Sequence, residues 1–487
     1  MSLVSPVFLF LFLPLCAGAF FVLGPQSRNY CLLFFSLFLY FFASPDAFFI
    51  LVAVCSIACL VTLQTERFVR RRITTLCITG ILFVLCYYKY GTFTLENINI
   101  ISEKLFSSSA WDSTGPGDIL LPIGISFYTF QAISLIVDWK KITLDKSRPT
   151  FLHVFLYISF FPQLVAGPIV RFRQFFREVN RKTPRKTEVW TGIRLVAIGL
   201  GKKVLIADFF ASYVDVIFSL APAELSWKLT LLGTALFFFQ IYFDFSGYSD
   251  MAIGLARIFK IRFYRNFKYP YISLSVTEFW RRWHISLSRW FRDYVYIPLG
   301  GNRRSQSRTF FNLLLVFCLC GIWHGASWTF LLWGAWNGLF LIFERIMGRS
   351  QVTFRPNSLV RWAYTFVVVM IGWLIFRSND IEHLSFLIMS LLELQEGLPS
   401  ATLLSLKFDL KFYVIVIASV FASFSFYSFF LNFIISKTAP FIDGDESKAR
   451  LKFLASFFSN FFILAFGFIA IASVARGTFT SFIYFQF

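Results

Sequence analysis

Apolar residues in this chain do not alternate with polar ones. They come in long runs, near 4–23, 31–63, 73–90, 119–137, 151–169, 189–220, 227–256, 309–343, 360–376, 412–435 and 453–475. A bilayer core takes about 20 helical residues to cross, and several runs are long enough to hold two passes or one bent pass. The pattern predicts an all-α polytopic membrane protein with roughly ten to twelve crossings. No repeat or linker divides it, so residues 1–487 read as a single integral membrane domain. The first run has no basic stretch ahead of it and continues past any cleavage point, which predicts a retained helix. Leu15 ahead of Cys16 is too large for a lipoprotein cleavage box.

Composition agrees. Of 487 residues 57% are hydrophobic and 15% charged, where a soluble protein is nearer a quarter charged. A net charge of +20, from 46 Lys and Arg against 26 Asp and Glu, would in a soluble protein point to nucleic acid. In this chain the positive-inside bias accounts for it, with anionic lipid headgroups as partner and no nucleic acid. Loop charge then sets orientation. Arg67, Arg70, Arg71 and Arg72 are expected in the cytoplasm. The 91–118 loop, with Glu96, Glu103, Asp112 and Asp118 and a Gly115-Pro116-Gly117 turn, is expected outside, and Lys140, Lys141, Lys146 and Arg148 return the chain to the cytoplasm. The eight cysteines form no CxxC pair, so no disulfide framework is expected.

One run breaks this alternation. Phe151 to Ile169 has basic residues on both sides, ending in Arg171, Arg173, Arg177, Arg181, Lys182, Arg185 and Lys186, and Pro162 and Gly167-Pro168 interrupt it. A re-entrant segment satisfies both facts, and irregular backbone at membrane depth occurs only where protein buries it or it lines a cavity.

Residues 257–308 are densely basic, from Arg257, Lys260 and Arg262 through Arg281, Arg282, Arg289 and Arg292 to Arg308, opposed by Glu278 and Asp293 alone and interleaved with aromatics such as Trp280, Trp283 and Trp290. Snorkelling arginines on a membrane surface explain part of this. The functional alternative is a cytoplasmic face for a phosphorylated aromatic ligand. Coenzyme A fits, since Arg forks match phosphates and aromatic faces stack an adenine.

Four histidines are available for chemistry. His383 reads as solvated and His153 as interfacial. His324, in Gly321-Ile322-Trp323-His324-Gly325, lies deep in an apolar run of more than thirty residues. An ionisable group at that depth is costly, so a functional role is the default, and burial favours the neutral ring that can accept a proton. The alternative makes Gly321-xxx-Gly325 a helix-packing motif. His284, in Glu278-Phe279-Trp280-Arg281-Arg282-Trp283-His284, is read equally as a surface histidine or a site residue. A metal at Cys318, Cys320 and His324 is not expected, because no carboxylate or second histidine joins them. Gly199-Leu200-Gly201-Lys202-Lys203 lacks the strand and spacing of a phosphate loop. Asp244, Ser246, Tyr248, Ser249 and Asp250 form a polar cluster in an apolar run, with Arg257 or Lys260 as the expected partner. Its two readings are a buried network and a substrate contact.

Tyr242-Phe243-Asp244-Phe245-Ser246-Gly247-Tyr248-Ser249-Asp250, Glu278-Phe279-Trp280-Arg281-Arg282-Trp283-His284-Ile285-Ser286, Pro298-Leu299-Gly300-Gly301-Asn302-Arg303 and Trp323-His324-Gly325, in that order, resemble the membrane-bound O-acyltransferases. The resemblance is nearest to the bacterial alginate O-acetyltransferase subgroup, is dense over about 117–345 and returns at Phe482–Phe487. It implies a ring of helices and re-entrant segments around a catalytic tunnel in the bacterial inner membrane. It further implies catalysis by His324 with His284 as second histidine, and acetyl-coenzyme A as donor substrate with no bound cofactor. Arg281, Arg282, Trp280, Asp244 and Asn337 are the expected substrate-binding residues. Where the subgroup often carries histidine this chain has Gln163 and Asn337, amides that hydrogen-bond but cannot relay protons. The implied acceptor is an extracytoplasmic polysaccharide, reached through a periplasmic partner protein. Two alternatives remain: D-alanyl or other acyl transfer from a carrier protein, and a polysaccharide exporter.

Overall fold

The computed structural model describes residues 3–62, 67–106, 121–142, 149–180, 186–348, 358–398, 406–424, 445–477 and 482. All regular structure among them is helical, as expected where backbone groups have no water to bond. Six helices have the length and apolarity of a crossing: Pro45–Thr62, Arg71–Leu105, Trp227–Ile258, Gln306–His324, Ser358–Arg377 and Phe457–Ala475. Four more apolar helices are shorter: Phe8–Val22, Arg28–Ala43, Ile381–Leu392 and Leu410–Ser423. The Gly115-Pro116-Gly117 turn, Lys146, Arg148, Arg181, Lys182, Arg185 and residues 483–487 lie outside the described residues, as do the side chains of Arg67, Arg70, Lys140, Lys141 and Lys186.

The long apolar runs divide where local chemistry forbids a helix. The run 31–63 becomes α2 (Arg28–Ala43) and α3 (Pro45–Thr62), after α1 (Phe8–Val22). Ser44 between them takes φ −158° and ψ 84°, because the residue before a proline is pushed out of the helical region. The run 309–343 becomes a hairpin of α14 (Gln306–His324) and α15 (Trp328–Ile346), with Gly325 extended and Ser327 accepting a hydrogen bond from the Thr329 N–H to cap α15. His324 therefore ends a helix instead of lying inside one.

Residues 151–169 are broken as Pro162 and Gly167-Pro168 require. α6 (Phe151–Ser159) has nine residues, about 13 Å of helix, and α7 (Phe161–Leu164) is a single buried turn. Gln163 is buried and donates to the Tyr157 carbonyl at 2.6 Å across the break. The loop expected over 91–118 is corrected at 91–106, where α4 (Arg67–Phe106) remains helical, and its remainder, with Asp112 and Asp118, lies outside the described residues. The acidic residues of α4 are sparse enough to keep helical spacing, and the Asn97 side chain bonds back to the Phe93 carbonyl at 2.7 Å.

The helices nearest the site are pressed together by glycines. α9 (Lys186–Gly201) runs against α11 (Trp227–Ile258), and a Cβ at Gly192 would come within 2.7 Å of the Gly254 carbonyl, one at Gly254 within 2.6 Å of the Gly192 carbonyl. Gly199 and Gly247 meet in the same reciprocal way. Such contacts let backbones approach where apolar burial gives no advantage over lipid. Gly321 likewise backs onto the Phe330 carbonyl and Gly325 onto the Phe330 ring, so the glycines around His324 do pack helices.

Gly247→Leu is expected to lower stability by about 1–3 kcal/mol through overpacking, seen as an earlier loss of folded protein on heating in detergent. Gly80→Leu, where nothing lies within 4 Å of the added carbon, is the control expected to change little.

Candidate functional site

A helix that ends leaves its last carbonyls without intrahelical donors. At the end of α14 the donors come from α4. The Tyr90 hydroxyl donates to the Ile322 carbonyl at 2.9 Å, and the Lys89 ammonium donates to the carbonyls of Trp323 at 2.6 Å and His324 at 3.0 Å. Lys89 also reaches Ser126 Oγ at 3.3 Å on α5 (Ile125–Ile142). A cation here also complements the negative end of the helix dipole. The His324 ring is held edge-on among Trp323, Trp333 and Phe376, with centroids at 4.9, 5.1 and 5.3 Å.

His284 joins two short helices, α12 (Val276–Arg282) and α13 (Ile285–Phe291). It is fully buried, so it is not a surface histidine: its ring packs against those of Phe245 at 4.6 Å, Trp323 at 6.2 Å and Phe267 at 6.4 Å. Its backbone is left-handed, φ 39°, a conformation costing on the order of 1–3 kcal/mol that persists only where surroundings enforce it. The enforcement is visible. Asn266 accepts from the Ile285 N–H through its carbonyl at 2.9 Å and from the Ser286 N–H through Oδ1 at 3.0 Å. Ser286 Oγ in turn accepts from the Ile169 N–H at 3.0 Å, tying α13 to the broken segment. Glu344, fully buried on α15, accepts from the Val276 and Thr277 N–H groups at the start of α12. Neither ring nitrogen of His284 has a hydrogen-bond partner among the described residues. Trp323 stands between the histidines, 6.2 Å from the ring of His284 and 4.9 Å from that of His324.

Two cavities lie near His324. A cavity of 590 Å³ is lined by Trp280, Arg281, Arg289, Arg292, Tyr296 and Cys320 among others, and Cys320 is one helical turn before His324 on α14. A smaller cavity of 40 Å³ has His324 itself in its wall, with Lys89, Gly124, Ser126, Val165 and Trp323. The arginines of the basic stretch divide. Arg282 is bound to Glu278 at 2.7 Å and to the Lys268 carbonyl at 3.2 Å. Asp293 holds Arg171 at 2.8 Å and Arg292 at 2.7 Å. Arg281 and Arg289 face the larger cavity with no carboxylate partner among the described residues. Trp280 donates to Asn337 Oδ1 at 3.2 Å while Asn337 donates to the Trp333 carbonyl at 2.9 Å, which fastens α12 to α15 beside that cavity.

Asp244 stands apart from both cavities' walls. Its partner is neither Arg257 nor Lys260 but Lys203, at 2.7 Å, which also binds Asp208 at 2.5 Å. Lys202 binds Asp250 at 2.7 Å. Arg257 lies roughly 20 Å further along α11, whereas the glycine contacts bring the end of α9 directly against Asp244 and Asp250. The Gly199-Leu200-Gly201-Lys202-Lys203 string is thus a packing edge followed by two counter-charges. His153 caps α6, its Nδ1 accepting from the Thr150 N–H at 3.2 Å, and His383 Nδ1 accepts from the Asn379 N–H at 3.3 Å. Among the described residues no three His, Cys, Asp or Glu side chains stand together as metal ligands.

Sequence reading missed Lys89, Tyr90, Lys203 and Glu344. Lys89 did carry a signal, an ammonium in Tyr87-Tyr88-Lys89-Tyr90 at the end of an apolar run, but a terminal lysine there reads as the flank of a crossing.

The family profile described as MBOAT, membrane-bound O-acyltransferase family, matches residues 73–379. The chain is 41% identical over 391 residues to a protein of Azotobacter vinelandii described as a probable alginate O-acetylase, covering 78% of this chain and 75% of that one. It is 35% identical over 415 residues to a peptidoglycan O-acetyltransferase of Helicobacter pylori, covering 78% and 77%. A teichoic acid D-alanyltransferase of Bacillus subtilis is 32% identical over 292 residues, covering 55% of this chain and 71% of its own.

Removing one member of a buried ion pair strands the other. Lys203→Met is expected to cost about 3–5 kcal/mol, read as lost folded yield and an earlier melt, with part of the loss restored when Asp208→Asn is added. Lys89→Met leaves the Trp323 and His324 carbonyls without their donor, a cost of about 1–3 kcal/mol, and is expected to increase amide hydrogen exchange around residues 322–326.

Proposed function

The chain belongs to the membrane-bound O-acyltransferase family, and from that premise we propose that it moves an acetyl group from cytoplasmic acetyl-coenzyme A across the inner membrane for O-acetylation of an extracytoplasmic polysaccharide. That it is a multi-pass membrane protein and an O-acyltransferase follows from the family and its apolar helices. The reading carries residues 1–487 as one unit, with ten to twelve crossings and re-entrant segments ringed around a tunnel. The observation behind it is the position of His324, in the wall of one cavity and one helical turn along α14 from Cys320 in the wall of a second, basic and aromatic one.

In this mechanism the coenzyme lies in the larger cavity. Arg281 and Arg289 take its phosphates in charge-assisted hydrogen bonds, and Trp280 and Tyr296 offer faces to the adenine. Arg282, already bonded to Glu278, contributes by holding α12. The thioester extends past Cys320 toward His324. The neutral His324 ring takes the proton of an acceptor hydroxyl as its oxygen attacks the thioester carbonyl. The new C–O bond forms, the C–S bond breaks, and the proton passes from the imidazolium to the departing thiolate. No acyl-enzyme is required. His284 orients a reactant or polarises the carbonyl, in keeping with two buried ring nitrogens that the described residues do not engage. Asp244 and Asn337 act by fixing α11 and α12 around the tunnel. A periplasmic partner protein passes the acetyl group to the glycan, a reading that rests on the likeness to proteins named for alginate and peptidoglycan O-acetylation.

Purified protein in liposomes, given acetyl-labelled acetyl-coenzyme A and an extract of periplasmic proteins and glycans, tests this. Wild type is expected to consume thioester and transfer label. His324→Ala should lose about 10²–10⁴-fold per folded molecule, the usual worth of general-base catalysis, and His284→Ala should lose less. Equal transfer by wild type and His324→Ala would remove His324 as the base. Turnover that needs an added acyl-carrier protein would move the donor to the D-alanyl type, and glycan flux without transfer would make the chain an exporter.

A further inference from the structure

A cavity of 520 Å³ shares no lining residue with the two cavities beside His324. It opens where α1, α2 and α6 meet α8 (Phe172–Val179) and the end of α11. Its wall holds Arg28, Lys260 and His153, the amides of Gln26, Asn29 and Asn180, and among the described residues no carboxylate. Arg28 is buried, 8% exposed. Its Nε donates to the Phe20 carbonyl at 3.0 Å and its guanidinium lies over the Phe20 ring, while Nη1 has no hydrogen-bond partner. Lys260 is 7% exposed and held with φ 74°. Burial, then the neighbouring Arg28 guanidinium, push its ammonium below the ordinary lysine value.

Two buried cations set side by side repel one another and have both lost water. A left-handed backbone at a lysine adds strain that glycine would avoid. These costs are tolerated where a ligand repays them, and the complement of a guanidinium fork, an ammonium and amide donors is a tetrahedral oxyanion. We propose that this cavity binds a phosphate group, presented either by an anionic phospholipid headgroup or by a soluble phosphate. Exposed Phe21, Tyr30 and Phe151 lie next in the chain to lining residues or among them, leaving an apolar surface along which an acyl chain can lie.

The test uses the full chain purified in detergent. One arm titrates short-chain phosphatidylglycerol against phosphatidylcholine of equal chain length, read by native mass spectrometry. A second arm titrates inorganic phosphate by calorimetry. Binding is expected in at least one arm, and the responding arm identifies the source. Lys260→Gly and Arg28→Gln should each weaken it about tenfold or more, the loss of one charge-assisted hydrogen bond. Glycine at 260 relieves the left-handed strain, so Lys260→Gly should melt no lower than wild type, which separates lost binding from lost folding. Absence of binding in both arms, or wild-type affinity in both variants, overturns the proposal.

Discussion

A helix that stops where protein buries its end leaves carbonyl oxygens that no water can satisfy. The site depends on how this chain meets that constraint. α14 ends at His324, and the carbonyls of residues 322–324 are satisfied by Tyr90 and Lys89 on one neighbouring helix. With those donors in place the chain can turn sharply at Gly325 and return as α15, and the histidine emerges at the turn in the wall of a cavity. Without them the end of the helix would have to be buried elsewhere or continue as helix.

The same rule organises the surroundings. Irregular backbone occurs at α6 and α7 and around His284, and in each place a side chain takes up the freed groups: Gln163 on the Tyr157 carbonyl, Asn266 on the start of α13, Glu344 on the start of α12. Charges follow it too. Lys203 sits between Asp208 and Asp244, so attraction at short range offsets the loss of hydration for all three. The glycine faces of α9 and α11 make that geometry reachable, because a lysine stem could not bring its ammonium to both carboxylates across helices held further apart.

Much of this was legible in the sequence, for physical reasons. Apolar runs reveal helices because the bilayer demands them. Pro162 and Gly167-Pro168 reveal a break because local sterics decide it. His324 stood out because ionisable groups are costly at that depth. The remainder depended on contacts between distant segments. Nothing local shows that Lys203 meets Asp244, or that Lys89 meets residue 324. His284 could be read as exposed because its neighbours Arg281 and Arg282 are charged, whereas its burial is set by rings from distant segments, Phe245, Phe267 and Trp323. The length of α4 beyond residue 91 was hidden by acidic residues that a helix can carry on one face.

The π-helical turn Lys202–Ala207 joins α9 to α10 (Asp208–Phe218), and the Asp208 N–H bonds the Lys203 carbonyl five residues back. A turn of this kind holds one residue more than the α-helix around it. In rotational terms the extra residue resets the phase of everything that follows by roughly 100°, as a single tooth resets a gear. Asp208 then comes round to the lysine that already faces Asp244, and α10 presents Phe210, Val214 and Ile217 to the core. The length of this stretch, counted in residues, is therefore held as strictly as its composition: losing one residue between 202 and 207 would leave every side chain chemically intact and aim the whole of α10 at the wrong neighbours.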